Sequence, residues 1–325
     1  MRALRALCAT LGGAAALAVS TVCPAEQWPS RSILVVSPFG GGTTMELVAD
    51  IVLDHAGRAL GQRFVFERQP GGGGTTGVVS VVRAEPDGYT LLLSSSLMNT
   101  AAILRKSLPY DASRDLAPVA MLGGQPSVLL AAPQDGFKTV ADLVAAAKAK
   151  PGQLKFASVG LGSASYFAAE RFRLAAGVDV QHVAYGRGFD ALHDLMAGRV
   201  DFYFVPVPPA LPLMKQGKVA ALAVSTPTRV SGLPDMPTLS EAGYTVTPYL
   251  FWCGLSAPVK TPRAVVDRLN STVNNALAIL GVQQQLLEIG LLPSPMSADQ
   301  FGRFVAADLA ATIKFGKDAH IEPTD

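Results

Sequence analysis

The apolar and polar positions of the chain repeat a strand–turn–helix order. The run SILVVS (32–37) is apolar almost throughout and of strand length, as expected of a strand buried on both faces. A glycine-rich turn, FGGGTT (39–44), follows it. Leu47, Val48, Ile51 and Val52 then recur at helical spacing, up to a stop expected near Gly57. RFVFER (63–68) reads as a second strand, PGGGGTTG (70–77) as a second glycine turn leading into a short helix, and PDGYTLLLSSS (86–96) as a turn and third strand. This β-α-β-α-β order predicts a parallel sheet covered by helices.

The same layout returns later without the same residues. QLKFAS (153–158) is a strand, VGLGS (159–163) a glycine turn, and ASYFAAERFRLAAG (164–177) a helix closed by Gly177. VDVQHVAY (178–185), GFDALHDLMAG (188–198) and RVDFYFV (199–205) supply a strand, a helix closed by Gly198 and a third strand. Two doubly wound lobes are therefore predicted, with crossover strands near 122–128 and 249–256. Each lobe carries a glycine-rich turn at the carboxyl end of its first strand, which is where such sheets bind ligands. In the last third, Val266, Leu269, Val273, Leu277 and Leu280 mark one amphipathic helix, and Phe301, Val305, Leu309 and Ile313 another. Both read as lobe-covering helices without chemistry.

At 325 residues, nearly half of them apolar, the chain is long enough for two cores. Arg2 and Arg5 precede a short apolar run from Ala6 to Val22, and small residues near Ala25 offer a cleavage point; segment 1–25 reads as a secretory signal peptide. These arginines are its only charges, so the mature chain carries 25 basic against 25 acidic residues. A neutral chain without a basic stripe gives no footprint for nucleic acid. Cys8 and Cys23 fall in the leader, and Val22 stands where a lipoprotein signal has a small residue. Cys253 is then alone, which excludes a disulfide framework and, with the export signal, suits a bacterial periplasm.

The glycine turns pose the question of which anion they face. In the first, Gly42 is followed by Thr43, Thr44 and Met45, not by the Lys-Ser/Thr of a phosphate loop. GLGSAS (160–165) approaches a dinucleotide fingerprint, with Asp179 downstream, but Ser165 replaces the third glycine. No cofactor is expected. Helix N-termini suit a carboxylate as well as a phosphate, because their free N–H groups and partial positive charge act on either. Glycines that merely permit tight turns would produce the same pattern, although three such turns at equivalent strand ends favour the ligand reading. Thr43 and Glu46 have the spacing of a capping box as well as a place beside any ligand, and both roles stay open. Catalysis finds little support: there is no G-x-S-x-G elbow, and His55, His182, His193 and His320 have no metal-ligand spacing. Asp190 and Asp194 lie one helical turn apart, as a solvated face would place them.

WPSRSILVVSPF (28–39), RQPGGGGTTGVVSVVRAEPDGYTLLLSSS (68–96), KSLPYDASRDLAPVAML (106–122), AKAKPGQLKFASVGLGS (147–163), GLPDMPTLSEAGY (232–244) and FWCGLSAPVKTPRAVVDRLNSTVNNAL (251–277) carry a resemblance in their order and spacing. The mature chain resembles the substrate-binding proteins of tripartite tricarboxylate transporters, the Bug family of periplasmic receptors. The resemblance implies an α/β, type II periplasmic binding protein fold with a ligand cleft between two lobes, here 26–125 with 251–325, and 126–250. It implies a monomer that captures a small organic carboxylate for membrane transporter subunits or a sensor protein. An exported enzyme using Glu46 or Asp190 as base is the alternative from another class.

Carried over by position, the resemblance implies a site of Phe39, Gly41, Gly42, Thr43, Thr44, Gly74, Thr75, Ser94 and Ser95 from the first lobe. Ser158, Gly162, Ser163, Tyr185 and Val205 come from the second, while Trp252 reads better as core. The chain departs from the family pattern, which usually has Gly at Thr43 and Asp at Glu46, and commonly Asn at Thr75 and His at Tyr166. The commonly acidic position after a late strand is Val205, within VPVPPALP, and the usual Tyr-Lys-Gly is YGRG (185–188), with Arg187 displaced by one residue. These departures predict a less polar second lobe and a more apolar carboxylate, aromatic or branched.

Overall fold

A computed structural model describes residues 28–323 apart from 40, 42, 231 and 246–249. The expected signal peptide and Gly42 lie outside the described residues. The first sheet opens with β1 (Ile33–Ser37), α1 (Thr44–Leu60), β2 (Phe64–Arg68), α2 (Thr75–Val82) and β3 (Thr90–Ser95). It continues through α3 (Ser96–Leu104), the short α4 (Ala112–Asp115) and β4 (Leu116–Gln125). The chain then crosses to a second sheet: β5 (Ser127–Ala131), α5 (Val140–Ala149), β6 (Lys155–Ser158), α6 (Ala164–Ala176), β7 (Gln181–Ala184), α7 (Gly188–Met196), β8 (Phe202–Pro206), α8 (Val207–Lys215) and β9 (Ala220–Val224). It returns through β10 (Phe251–Pro258), α9 (Arg263–Leu277), α10 (Leu280–Glu288), β11 (Leu292–Pro293) and α11 (Ala298–Asp318).

The strand orders are β11-β4-β10-β3-β1-β2 and β7-β6-β8-β5-β9. In each sheet three adjacent strands running in from one edge are parallel, β2–β1–β3 and β7–β6–β8, as the two repeated β-α-β patterns required. The crossing strands β10 and β5 pair antiparallel with their neighbours, which makes both sheets mixed. On β3 the side chains alternate: Leu91 and Leu93 face the core under α1 and α9, and Leu92 faces the one that holds Val78, Trp252 and Phe301. In the second sheet Phe156, Phe202 and Phe204 pack under α5 and α6, whereas Ala157, Tyr203 and Val205 pack under α7 and α8. Trp252 is fully buried, as core packing requires.

Two helix boundaries differ from expectation. Helix α1 runs past Gly57 to Leu60 and is closed by Gly61 in the left-handed conformation (φ 72°). Gly57 serves a close approach instead, since a Cβ there would lie 2.8 Å from the Gln62 carbonyl oxygen as the chain folds back. The amphipathic pattern ending at Leu280 spans two helices, because α9 stops at Leu277, and Leu280 opens α10 with its side chain exposed.

Helix α11 belongs to both halves. Its first turns place Phe301 edge-on to Trp252 (5.5 Å between centroids) beside the first sheet. Its last turns place Phe315 edge-on to Phe167 (5.5 Å) in the core of the second, where Arg171 donates to Thr312 Oγ1 at 3.1 Å. Ile103 on α3 enters the same second core. These two helices link the lobes outside the crossing strands.

Candidate ligand-binding site

The parallel strands of both sheets end in turns that start helices, and the starts of α1, α3 and α6 are capped by a Thr or Ser of their own turn. Ser163 accepts from the Tyr166 N–H (3.2 Å) at the start of α6 and donates to the Gly160 carbonyl (2.7 Å). Ser95 accepts from the Leu97 N–H at the start of α3. Thr43 accepts from the Glu46 N–H at the start of α1, so the capping reading of Thr43 holds. The Glu46 carboxylate is engaged by Arg68 Nε, 3.1 Å from both oxygens, and is nearly buried. Gly41 makes room for this pair: a Cβ there would come within 3.0 Å of Arg68 Nε.

A cavity of about 430 Å³ lies between the lobes. Leu97, Gln125 and Phe251 close it from the first sheet, at the ends of the crossing strands and the start of α3. From the second come the starts of α6 (Ser163, Ala164, Ser165) and α7 (Gly188, Phe189), and the end of β8 (Val205, Pro206). Tyr203, Leu192, Pro209, Val159, Phe204 and Ser127, which pairs with Pro206, complete the wall, and none of the described lining residues is charged. Helix geometry leaves the N–H groups of Ala164 and Ser165 without an intrahelical acceptor, and both residues line the cavity.

Of the residues expected from sequence, Ser163 and Val205 line this cavity. Thr43 and Thr44 line a separate groove with Glu46, Leu47 and Arg68. Phe39, Gly41, Gly74, Thr75, Ser94, Ser95, Ser158, Gly162 and Tyr185 line neither. Ser94 is buried and accepts from the Ser256 hydroxyl at 3.0 Å. Ser158 is buried, with its Oγ 2.6 Å from His182 Nε2. Burial, opposed in part by Glu170, holds the His182 pKa below its usual value. Tyr185 donates to Asp194 at 2.9 Å. Burial, then that carboxylate, push the phenol up to about 12, while Arg199 and Tyr185 hold Asp194 down to about 2. Arg187 is held by both oxygens of Asp190 at 3.0 Å on an exposed turn and is not among the lining residues. Gly162 has φ 81°, and a Cβ there would lie 2.9 Å from Leu104 Cδ1 of α3, so the turn meets the first lobe directly.

Three buried hydroxyls at this end of the first sheet have no protein partner among the described residues: Ser37 at the end of β1, Thr75 at the start of α2 and Ser96 after β3. Such groups are costly unless something polar meets them. The sequence reading singled out Thr75 but not Ser37 or Ser96. It also missed Gln125, Ser165, Phe189 and Phe251, of which Phe189 carried a signal, as an aromatic in the first turn of a helix that starts at a strand end.

The sequence model described as "Tripartite tricarboxylate transporter family receptor" matches residues 48–317. Protein BugT of Bordetella pertussis is 32% identical over 287 residues, covering 88% of each chain. Among solved structures, R. palustris Rpa4515 with adipate is 30% identical with a TM-score of 0.75, over 91% of this chain and 100% of that one. MatC from Rhodopseudomonas palustris with bound malate is also 30% identical, TM-score 0.71, over 89% of this chain and 100% of that one. With two α/β lobes, a cavity between them and a match over most of its length, the chain belongs to the tripartite tricarboxylate transporter receptor family of periplasmic solute-binding proteins.

Proposed function

We propose that this protein is an exported receptor that captures a small organic carboxylate between its lobes and delivers it to membrane transporter subunits. The observation that carries this reading is the uncharged cavity at the start of α6. There the Ala164 and Ser165 amides can meet an anion without a basic side chain, on a turn that the Ser163 and Ser165 hydroxyls hold in place. Each hydrogen bond to a charged group is worth about 1.5–3 kcal/mol, so two or three from protein amides hold a carboxylate against its hydration. The first-lobe turns, with Thr75, Ser95 and the unpartnered Ser37 and Ser96 hydroxyls, face the ligand directly or through ordered water. Residues 26–125 with 251–325 form one lobe and 126–250 the other, with the end of α11 seated on the second. Ligand contacts to both lobes favour the closed arrangement by hinge motion.

The signal peptide takes the chain to the periplasm, where it works as a monomer. Its work is capture and release, without turnover. Calorimetric titration of the mature chain with small carboxylic acids, each beside its primary amide, tests the reading. One acid should bind one per chain while its amide does not. Equal binding of acid and amide would refute the carboxylate site.

A further inference from the structure

Three parallel strands, β7, β6 and β8, end side by side, and each leads into a helix: α7, α6 and α8. The starts of all three line the cavity between the lobes. Their chemistry differs. A helix start exposes up to four N–H groups, from the capping residue through its third helical position. At α6 two of these, on Ala164 and Ser165, remain for a ligand. At α8 the four positions are Pro206, Val207, Pro208 and Pro209. Three are prolines and have no N–H. The fourth, on Val207, is donated to the Pro126 carbonyl at 3.3 Å. The α8 start thus keeps its position at the cavity and has no donor left to offer an anion.

The surroundings extend this apolar end. Val205 precedes the prolines, and Phe189, Leu192 and Phe251 line the same cavity. Phe189 is 78% exposed, a large apolar side chain presented at the start of α7. Arg187, two residues before Phe189, is occupied by Asp190, and Arg199, six before Val205, by Asp194. A second carboxylate placed at the start of α8 would lose its hydration and find no backbone donor there, in contrast to the starts of α6 and α7, where N–H groups remain.

We infer that the proline-blocked start of α8, with Val205 and Phe189, is a specificity filter that takes the apolar tail of a monocarboxylate and rejects dicarboxylates. The inference rests on the carboxylate-receptor reading and gives the ligand a direction, with its charged head at α6 and its hydrocarbon body toward α8. The two solved relatives described with adipate and malate hold dicarboxylates. The filter therefore separates this chain from them.

Calorimetric titration of the mature chain with acids paired on one skeleton tests it, for example hexanoate with adipate and 4-methylbenzoate with benzene-1,4-dicarboxylate. In every pair that binds, the monoacid should bind at least tenfold more tightly. A diacid binding within tenfold of its monoacid, or better, would overturn the filter and leave the receptor reading intact. Binding of none of the acids across a broad paired panel would overturn the receptor reading itself. Pro209→Ala returns one N–H to the start of α8 and should narrow the monoacid-to-diacid ratio at least threefold. An unchanged ratio in this variant also counts against the filter.

Discussion

Asp308 on α11 joins three elements around one carboxylate oxygen. Its Oδ2 accepts from Trp252 Nε1 at 2.9 Å and from Asn99 Nδ2 at 2.7 Å, tying α11 to β10 and α3. Trp252 and Asn99 are both fully buried, so neither donor can turn to solvent. Asp308→Ala removes the acceptor. Asn99 keeps a second bond to the Val305 carbonyl at 3.3 Å, whereas the Trp252 N–H has no other acceptor among the described residues. A stranded buried donor costs about 1–3 kcal/mol and a lost bond to a charged group about 1.5–3 kcal/mol. Partial compensation at Asn99 brings the expected loss to about 2–4 kcal/mol. At roughly 2–4 °C per kcal/mol for a chain of this size, the melting temperature should fall by about 4–16 °C. Urea unfolding of wild type, Asp308→Ala, Trp252→Phe and the double variant isolates the pair. The cycle should give a coupling of at least about 1 kcal/mol, because the phenyl ring that replaces the indole needs no acceptor. Since α3 presents Leu97 to the cavity, ligand affinity should fall with stability. A loss under about 0.5 kcal/mol, or additive single effects, would refute the network as described.

Four further outcomes follow from the site. Gly162→Ala forces a side chain onto a backbone at φ 81° and toward Leu104, so stability should fall by about 1–3 kcal/mol; adding Leu104→Ala should restore ligand affinity but not stability, as titration and urea unfolding would show. His182 has a folded pKa below its usual value, so its stabilisation is complete above about pH 6.5 and is lost as pH falls through the lowered value. His182→Gln should flatten the stability–pH curve in that window. Asp194→Asn should remove acid sensitivity between the ordinary Asp range, about pH 4, and the folded value of about 2. It should also lower the Tyr185 phenol from about 12, read by phenolate absorbance. Val205→Asp puts a carboxylate on the buried apolar wall and should abolish binding of an apolar acid in the same titrations; unchanged affinity would remove Val205 from the site.

Much of the fold was legible because the parallel strands are continuous apolar runs and their helices carry local stop signals. The six parallel strands lie where the apolar runs put them, to within about three residues at either end, and Gly177 closes α6 as expected. Gly57 misled because a glycine permits close approach as readily as it ends a helix, and only the returning Gln62 distinguishes the two. Leu280 misled because the apolar period continues across the break between α9 and α10. The site was harder. Ser163 was legible as the residue between a glycine turn and a helix. Ser94 and Ser158 were equally plausible by type; they lie off the cavity wall, where Ser94 accepts from Ser256 and Ser158 meets His182, partners set by pairing across the sheet and not by nearby sequence. Phe251 and Gln125 reach the cavity only because two crossing strands end beside each other, at a distance of 126 positions along the chain.

The most direct test of the account is thermal unfolding of the mature chain against carboxylates, amino acids and nucleotides. A ligand at a thousand times its dissociation constant adds about 4 kcal/mol, on the order of 10 °C for a chain of this size. The account predicts a shift of that size with a small monocarboxylate and none with nucleotides. A chain that no carboxylate stabilises, or that only a dinucleotide stabilises, would contradict it.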